Sequence, residues 1–435
     1  MEIMADMNIT QDKKSIPTGF KLTEIGVIPE DWTYGSLERI CPTGKKYGIV
    51  DGPFGSNLKT EHYKKSGIPI ISSGFVTTGQ FLADEYIFVD KEKFRQEKRS
   101  AVAPGDIVMA KIGARCGASA IFPIKHEIGI LSGNALKITV NENKHETYFI
   151  WQFLWDLYSK GKFDEITAVG AQPAISMPHL KKLLIPLPTK SEQTAIANVL
   201  SDTDALITEL EQLITKKGAI KTATMQQLLT GRTRLPQFAK HPDGTLKGHR
   251  SSELGSITED WQVVPFKDVL TIKHGKNQKE VESPSGQYPI YATGGQIGNA
   301  TSFLFDKPSV LIGRKGTIDK PKYADTPFWT VDTLFYSEIK KNVCVKFIYY
   351  KFCMIDWMQY NEASGVPSLN AHTIENVLVV LPNMEEQTAI ATILSDMDAE
   401  LEALEQKLSK ARDIKQGMMQ QLLTGRIRLP LDQQS

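Results

Sequence analysis

The chain has 435 residues, 41% of them apolar and 23% charged, the balance of a globular protein of roughly two to four domains. Lys and Arg total 51 against 50 Asp and Glu, so bulk charge points to neither nucleic acid nor membrane. No run of about 18 apolar residues exists to span a bilayer, the N-terminal MEIMADMNITQDKKSIP lacks a secretory apolar region, and a cytoplasmic location is expected.

In chain order, a lead-in from residue 18 ends in Glu24–Trp32, EIGVIPEDW. Residues 33–185 then read as mixed α/β with much strand. Short apolar runs end in glycine turns, as in 67–81 (GIPIISSGFVTTGQF) and 105–122 (GDIVMAKIGARCGASAIF). An amphipathic, aromatic helix is expected near Tyr148–Tyr158. A first domain is thus assigned to 18–185.

Residues 186–236 form a helical segment. Apolar Ile196, Val199, Leu206, Leu210, Leu213 and Ile220 fall at 3/4 spacing, the narrow seam of a two-helix coiled coil. Ser191 is read as its N-cap, and Gly231 is placed in the left-handed position past its end. At about 40 residues the helix spans about 60 Å. The polar stretch 237–252 reads as a linker.

A second domain, 253–380, opens on Glu253–Trp261 (ELGSITEDW) and has the same glycine-ended runs at 288–300 and 309–318. Its short helix is expected near Phe347–Met358. A second helical segment, 381–430, has its seam at Ile390, Ile393, Met397, Leu401, Leu404, Leu408, Ala411, Ile414, Met418 and Leu422, and Gly425 at its end.

The halves are copies. Leu187–Pro236 and Leu381–Pro430 align without a gap at an offset of 194, with 30 of 50 positions identical. The opening markers repeat at an offset of 229, so the first domain carries about 35 more residues. The expected class is α+β: two mixed α/β domains separated by two long antiparallel coiled-coil helices, with an internal pseudo-two-fold repeat. Identical polar positions in EQTAIA and QQLLTGR suggest a partner surface kept once per half.

Within the domains, Ile107–Gly113 resembles Val310–Gly316. Each places a basic residue, Lys111 or Arg314, two before a glycine that ends a strand. Lys59, Lys64, Arg115, Lys276 and Lys315 are further basic candidates on loops. The loop Asp51–Asn57 (DGPFGSN) is a candidate of a different composition.

Catalytic motifs are absent. There is no Walker A loop, no H-E-x-x-H, no G-x-S-x-G and no N-P-P-[FY]. Gly294-Gly-Gln-Ile-Gly298 reads as a hairpin turn. Cys41, Cys116, Cys344 and Cys353 form no C-x-x-C pair.

Two divergent inserts, each followed by a helix carrying EQ-x-x-I-A and QQLLTGR-x-RL, resemble the specificity subunit of Type I restriction–modification enzymes. Ile28-Pro29-Glu30-Asp31-Trp32 resembles the family's opening motif; the second marker has Thr258 in place of Pro29. The resemblance implies that each domain is a target recognition domain reading half of a bipartite, asymmetric DNA site. The helices would set the spacer and dock two modification (methyltransferase) subunits, with restriction subunits joining them. The chain itself would be non-catalytic, with S-adenosylmethionine, ATP and Mg on its partners. On this reading Lys59, Lys64, Lys111, Arg115, Lys276, Arg314 and Lys315 bind DNA. Glu192, Gln193, Ile196, Glu386, Gln387 and Ile390 dock the modification subunits. The alternative is a coiled-coil scaffold whose inserts bind protein.

Overall fold

The structure, a computed structural model, describes residues 16–44, 46–168 and 172–430. It divides into two compact units. One takes the described residues up to Glu209 and those from Leu408; the other runs from Leu210 to Lys407. Each therefore holds one of the two mixed α/β domains, the start of the helix that follows it, and the end of the other helix.

In the first unit the strands are β1 (Thr33–Ser36), β2 (Ile49–Asp51), β3 (Ile68–Ile71), β4 (Ile107–Ala110), β5 (Ser119–Ile121), β6 (Gly129–Leu131), β7 (Ala135–Ile138) and β8 (Leu184–Leu187). Helix α1 (Thr147–Ser159) follows β7, and the long helix α2 (Lys190–Leu229) follows β8. An antiparallel sheet has the order β2-β7-β4-β5. A second sheet is built on the parallel pair β3 and β6, and β1 pairs with β8. All four residues of β4 are buried, which is why its sequence, Ile-Val-Met-Ala, is a continuous apolar run. The α1 side chains Phe149, Ile150 and Leu154 fill the core under this sheet, with Met419, Leu422 and Leu423 from the far end of the chain.

The second unit repeats the plan. Its strands are β9 (Gln262–Pro265), β10 (Leu270–His274), β11 (Tyr288–Ala292), β12 (Gly295–Ala300), β13 (Ser309–Gly313), β14 (Lys322–Ala324), β15 (Trp329–Thr330), β16 (Leu334–Ile339) and β17 (Leu378–Leu381). Its helices are α3 (Val345–Met354) and α4 (Met384–Leu422). The antiparallel order β10-β16-β13-β14 matches the first sheet, and β11 and β15 form the matching parallel pair. Its core takes Leu228 and Leu229 from the end of α2. The divergent inserts are thus one fold.

Within each unit the two long helices run antiparallel. In the first, Asp204 of α2 pairs with Lys415 of α4 at 2.7 Å. In the second, Lys217 pairs with Glu400 at 2.7 Å, and Lys221 pairs with Asp398. The seam differs from the sequence reading. Leu206, Leu213, Ile220 and Ile414 are exposed, whereas Leu404 and Ala411 are buried. The cause is lateral: Leu206, Leu213 and Ile220 recur every seven residues but lie one flank away from the contact line through Ile207, Leu210 and Ile214, all half-buried.

The N-cap also moves. Thr189 Oγ1 accepts from the Glu192 amide at 3.3 Å, and Asn383 Oδ1 accepts from the Glu386 amide at 2.9 Å, so Thr189 and Asn383 cap the helices rather than Ser191. The end of the expected linker is structured. His249–Ser252 pairs with Gly255–Thr258, a hairpin like that of Phe20–Thr23 with Gly26–Pro29.

Candidate nucleic-acid interface and the closures that carry it

Each unit closes on a salt-bridged clamp made from the opening marker, the start of one long helix and the arginine past the end of the other. In the second unit, Arg234 forks onto Glu386 (2.6 and 2.7 Å) and onto Asp260 (2.9 and 3.2 Å). Trp261 Nε1 donates to Glu386 Oε2 at 3.1 Å. In the first, Arg428 bonds Asp31 (2.9 and 2.8 Å) and Glu192, and Trp32 Nε1 donates to Glu192 Oε2 at 3.0 Å. Hydrogen bonding to Arg428 holds the Asp31 carboxyl below its ordinary value. Burial pushes Asp260 up, but Arg234 and Lys247 together bring it lower still.

Gly425 (φ +67°) and Gly231 (φ +73°) turn the chain into these clamps. A Cβ on Gly425 would lie 2.4 Å from Pro29, and one on Gly231 would lie 2.6 Å from the Thr258 hydroxyl. Glycine is required both by backbone conformation and by close approach. The difference between Pro29 and Thr258 is a difference in what packs against that glycine.

The expected docking residues are therefore internal. Glu192, Gln193, Ile196, Glu386, Gln387 and Ile390 are each at most 2% exposed. Both glutamates hold clamps. Gln193 donates to Pro188 O (2.8 Å) and accepts from the Glu146 amide (3.0 Å), fixing α1 to α2. Gln387 does the same with Pro382 O (2.8 Å) and the Cys344 amide (2.9 Å). Both isoleucines lie in cores. The assignment of these six to partner docking is corrected: the repeat keeps them because each closure needs them. Trp32, Trp261, Asp31, Asp260, Arg234 and Arg428 were missed as a set, although all three types stand identically in both copies.

At the tips of the two antiparallel sheets the plan is again shared. The Lys111 amide donates to Asn134 O and the Arg314 amide to Thr333 O, at 2.9 and 2.8 Å. Gly113 and Gly316, both left-handed, donate to Pro173 O and Pro367 O. Gly52 follows β2 and Gly275 follows β10. A Cβ on either would lie about 2 Å from a facing carbonyl, Ser132 O at 1.9 Å or Val331 O at 2.0 Å. These glycines press one loop onto another and make the tip rigid.

What the frame displays differs. Lys111 is buried, its Nζ 2.6 Å from Asp51 and 3.9 Å from the centre of the Phe54 ring. It is not a free cation, and its assignment as a DNA-facing residue is corrected: Asp51, the last residue of β2, takes its charge. Arg99 also reaches Asp51, at 3.3 Å. Arg115 is exposed on the turn after Lys111. Lys59 and Lys64 are exposed on a separate loop, Lys59 beside Glu61. In the second unit the turn at Thr330–Thr333 gathers three candidates. Lys276 donates through its amide to Thr330 O, and both Arg314 and Lys315 to Thr333 O. Lys276 and Lys315 are exposed, and the side chain of half-buried Arg314 donates to Asp332 O at 3.3 Å.

This duplicated architecture, a two-sheet domain followed by a long helix and closed by the other helix's end, has relatives. The family model described as the Type I restriction modification DNA specificity domain matches residues 29–221 and 258–411. The chain belongs to that family.

Two relatives from Methanocaldococcus jannaschii span nearly the whole chain. A putative type I restriction enzyme MjaX specificity subunit is 27% identical over 441 residues, covering 94% of this chain and 97% of its own. The MjaVIII specificity subunit is 25% identical, covering 92% and 94%. The crystal structure of a Type I restriction–modification S subunit from M. genitalium has the same fold, with a TM-score of 0.61 at 17% identity over 90% of this chain and 96% of that one. The function of the chain is DNA sequence specificity in Type I restriction–modification. Among the described residues no helix is long and apolar enough to cross a membrane.

Proposed function

We propose that the chain is the non-catalytic specificity subunit of a Type I complex, and that each domain reads one half of a bipartite, asymmetric DNA site. The observation that carries this is one rigid sheet-tip frame occurring twice with different side chains on it. A duplicated protein that recognised a single target would have no need to change the tip while keeping the frame. Arg314, Lys315 and Lys276 form the reading edge of the second domain, where a guanidinium can fork onto guanine and lysines can neutralise phosphates. Arg115, with Lys59 and Lys64 on their separate loop, supplies phosphate contacts in the first.

The long helices set the spacer and dock two modification subunits, through surfaces other than the six buried residues. Each unit displays the same exposed set on its helices. The first shows Asp202 and Ala205 with Lys410, Ile414 and Gln420. The second shows Asp396 and Ala399 with Lys216, Ile220 and Gln226. These pairs are identical between the copies although burial does not demand it, which favours a partner that binds once per unit. The modification subunits bring S-adenosylmethionine, and restriction subunits bring ATP and Mg; this chain holds register while adenine is flipped and methylated. A cytoplasmic location follows from that work.

Replacement of residues 262–379 by the matching segment of another specificity subunit tests the reading. The expected result, from sequencing of methylated adenines, is a site changed in one half and unchanged in the other. A site changed in both halves, or in neither, overturns it.

A further inference from the structure

We infer that Phe54 reads a thymine, through van der Waals contact with its 5-methyl group in the major groove. The inference rests on the proposal that the sheet tips face DNA. Phe54 follows the Gly52 clamp by two residues, as Asn277 follows Gly275 in the second domain. Phe54 is 48% exposed, and the Lys111 ammonium lies 3.9 Å from the centre of its ring.

At Phe54 itself the adjoining charges are already committed to one another. Reading guanine takes a fork of free donors, and the Lys111 ammonium is held by Asp51 at 2.6 Å. Reading cytosine takes a free acceptor, and Asp51 already receives Lys111 and Arg99. What the tip presents at this position is hydrocarbon, held beside the ion pair. The thymine methyl is the apolar group that a base pair offers in the major groove. A ring pinned against an ammonium cannot advance between base pairs as a wedge, but it can lie against a methyl. The ion pair beneath it then acts as a positioning device: it holds the ring and removes a cation that would bind any sequence.

The test uses the full chain assembled with its modification subunits, as wild type, F54A, F54N and R314A. F54N carries the residue that the second domain holds on the same frame. Each assembly selects from randomised duplexes, and thymines of the wild-type site are then replaced singly by deoxyuridine. At one position in one half, loss of the methyl weakens wild type roughly fourfold. It leaves F54A and F54N unaffected, and selection by F54N no longer retains thymine there. The inference is overturned if deoxyuridine weakens wild type and both variants alike, or if both variants select the wild-type site while R314A alters its own half. That last result spares the reading of the tips. If R314A also selects the wild-type site, or if wild type selects no two-part site, both fall.

Discussion

The two units are alike where they close and unlike where they end in loops. Arg234 with Glu386 and Asp260 is repeated contact for contact by Arg428 with Glu192 and Asp31. At the tips the same backbone holds a neutralised Lys111 under Phe54 in one domain and a cluster of Arg314, Lys315 and Lys276 in the other. Closure is a charged interface built on a buried glutamate in each unit, in which every member depends on the others, so one change leaves a charge without its partner. A tip is set by backbone hydrogen bonds and glycine approach, which are indifferent to the side chains they display. Divergence is therefore cheap at the tips and costly at the clamps.

The largest effects are expected where the clamps differ in burial. The Arg234 side chain is 7% exposed and that of Arg428 40%. R234A leaves Glu386 buried and unpaired and is expected to cost about 3–5 kcal/mol. R428A, at a wetter site, costs about 1–3 kcal/mol. Urea unfolding of the full chain compares them, and equal losses would show that the two clamps are energetically equivalent.

Next come the glycines. G425A adds a Cβ against the rigid Pro29 ring, and G231A adds one against a hydroxyl that can rotate away. We expect about 2–4 kcal/mol for G425A and less for G231A, by the same measurement.

The units also differ in their response to pH. Lys351 is buried, donates to Leu229 O at the end of α2, and is lowered by burial to about 7. Above that value the unfolded chain holds this proton and the folded chain does not. Stability of the second unit thus rises with pH from about 7 towards the ordinary value of 10.5. K351M should flatten that rise in a series of melting curves. Asp31 and Asp260 act in the acid range. Their folded values lie below the ordinary 3.8, so the stability they give is complete above it and is lost as pH falls through the folded values.

At the tips, R314A is expected to weaken binding by about 1–3 kcal/mol and to relax one position of the site. K111A should lower stability by leaving Asp51 with less support, with little change in the salt dependence of binding. A loss of about one unit of salt slope in K111A would show that this lysine does reach phosphate. The smallest effect on folding is expected for K216E with K410E, within about 0.5 kcal/mol, because both lysines are exposed. Their readout is assembly: unchanged co-purification with the modification subunit would place docking elsewhere.

The sequence by itself determined the duplication, the length of the helices, the left-handed glycines at their ends and the family, because identity between copies and 3/4 spacing are local and need no partner. Only the tertiary structure decided what the identities are for. Glu192, Gln193, Glu386 and Gln387 look like surface because free carboxylates and amides prefer water, and become interior only when a tryptophan, an arginine or a helix amide from elsewhere in the chain satisfies them. Lys111 looks like a free cation until Asp51, 60 residues earlier, lies beside it. Burial of a polar group depends on its partner, and the partner's position is set by the fold rather than by the neighbouring sequence.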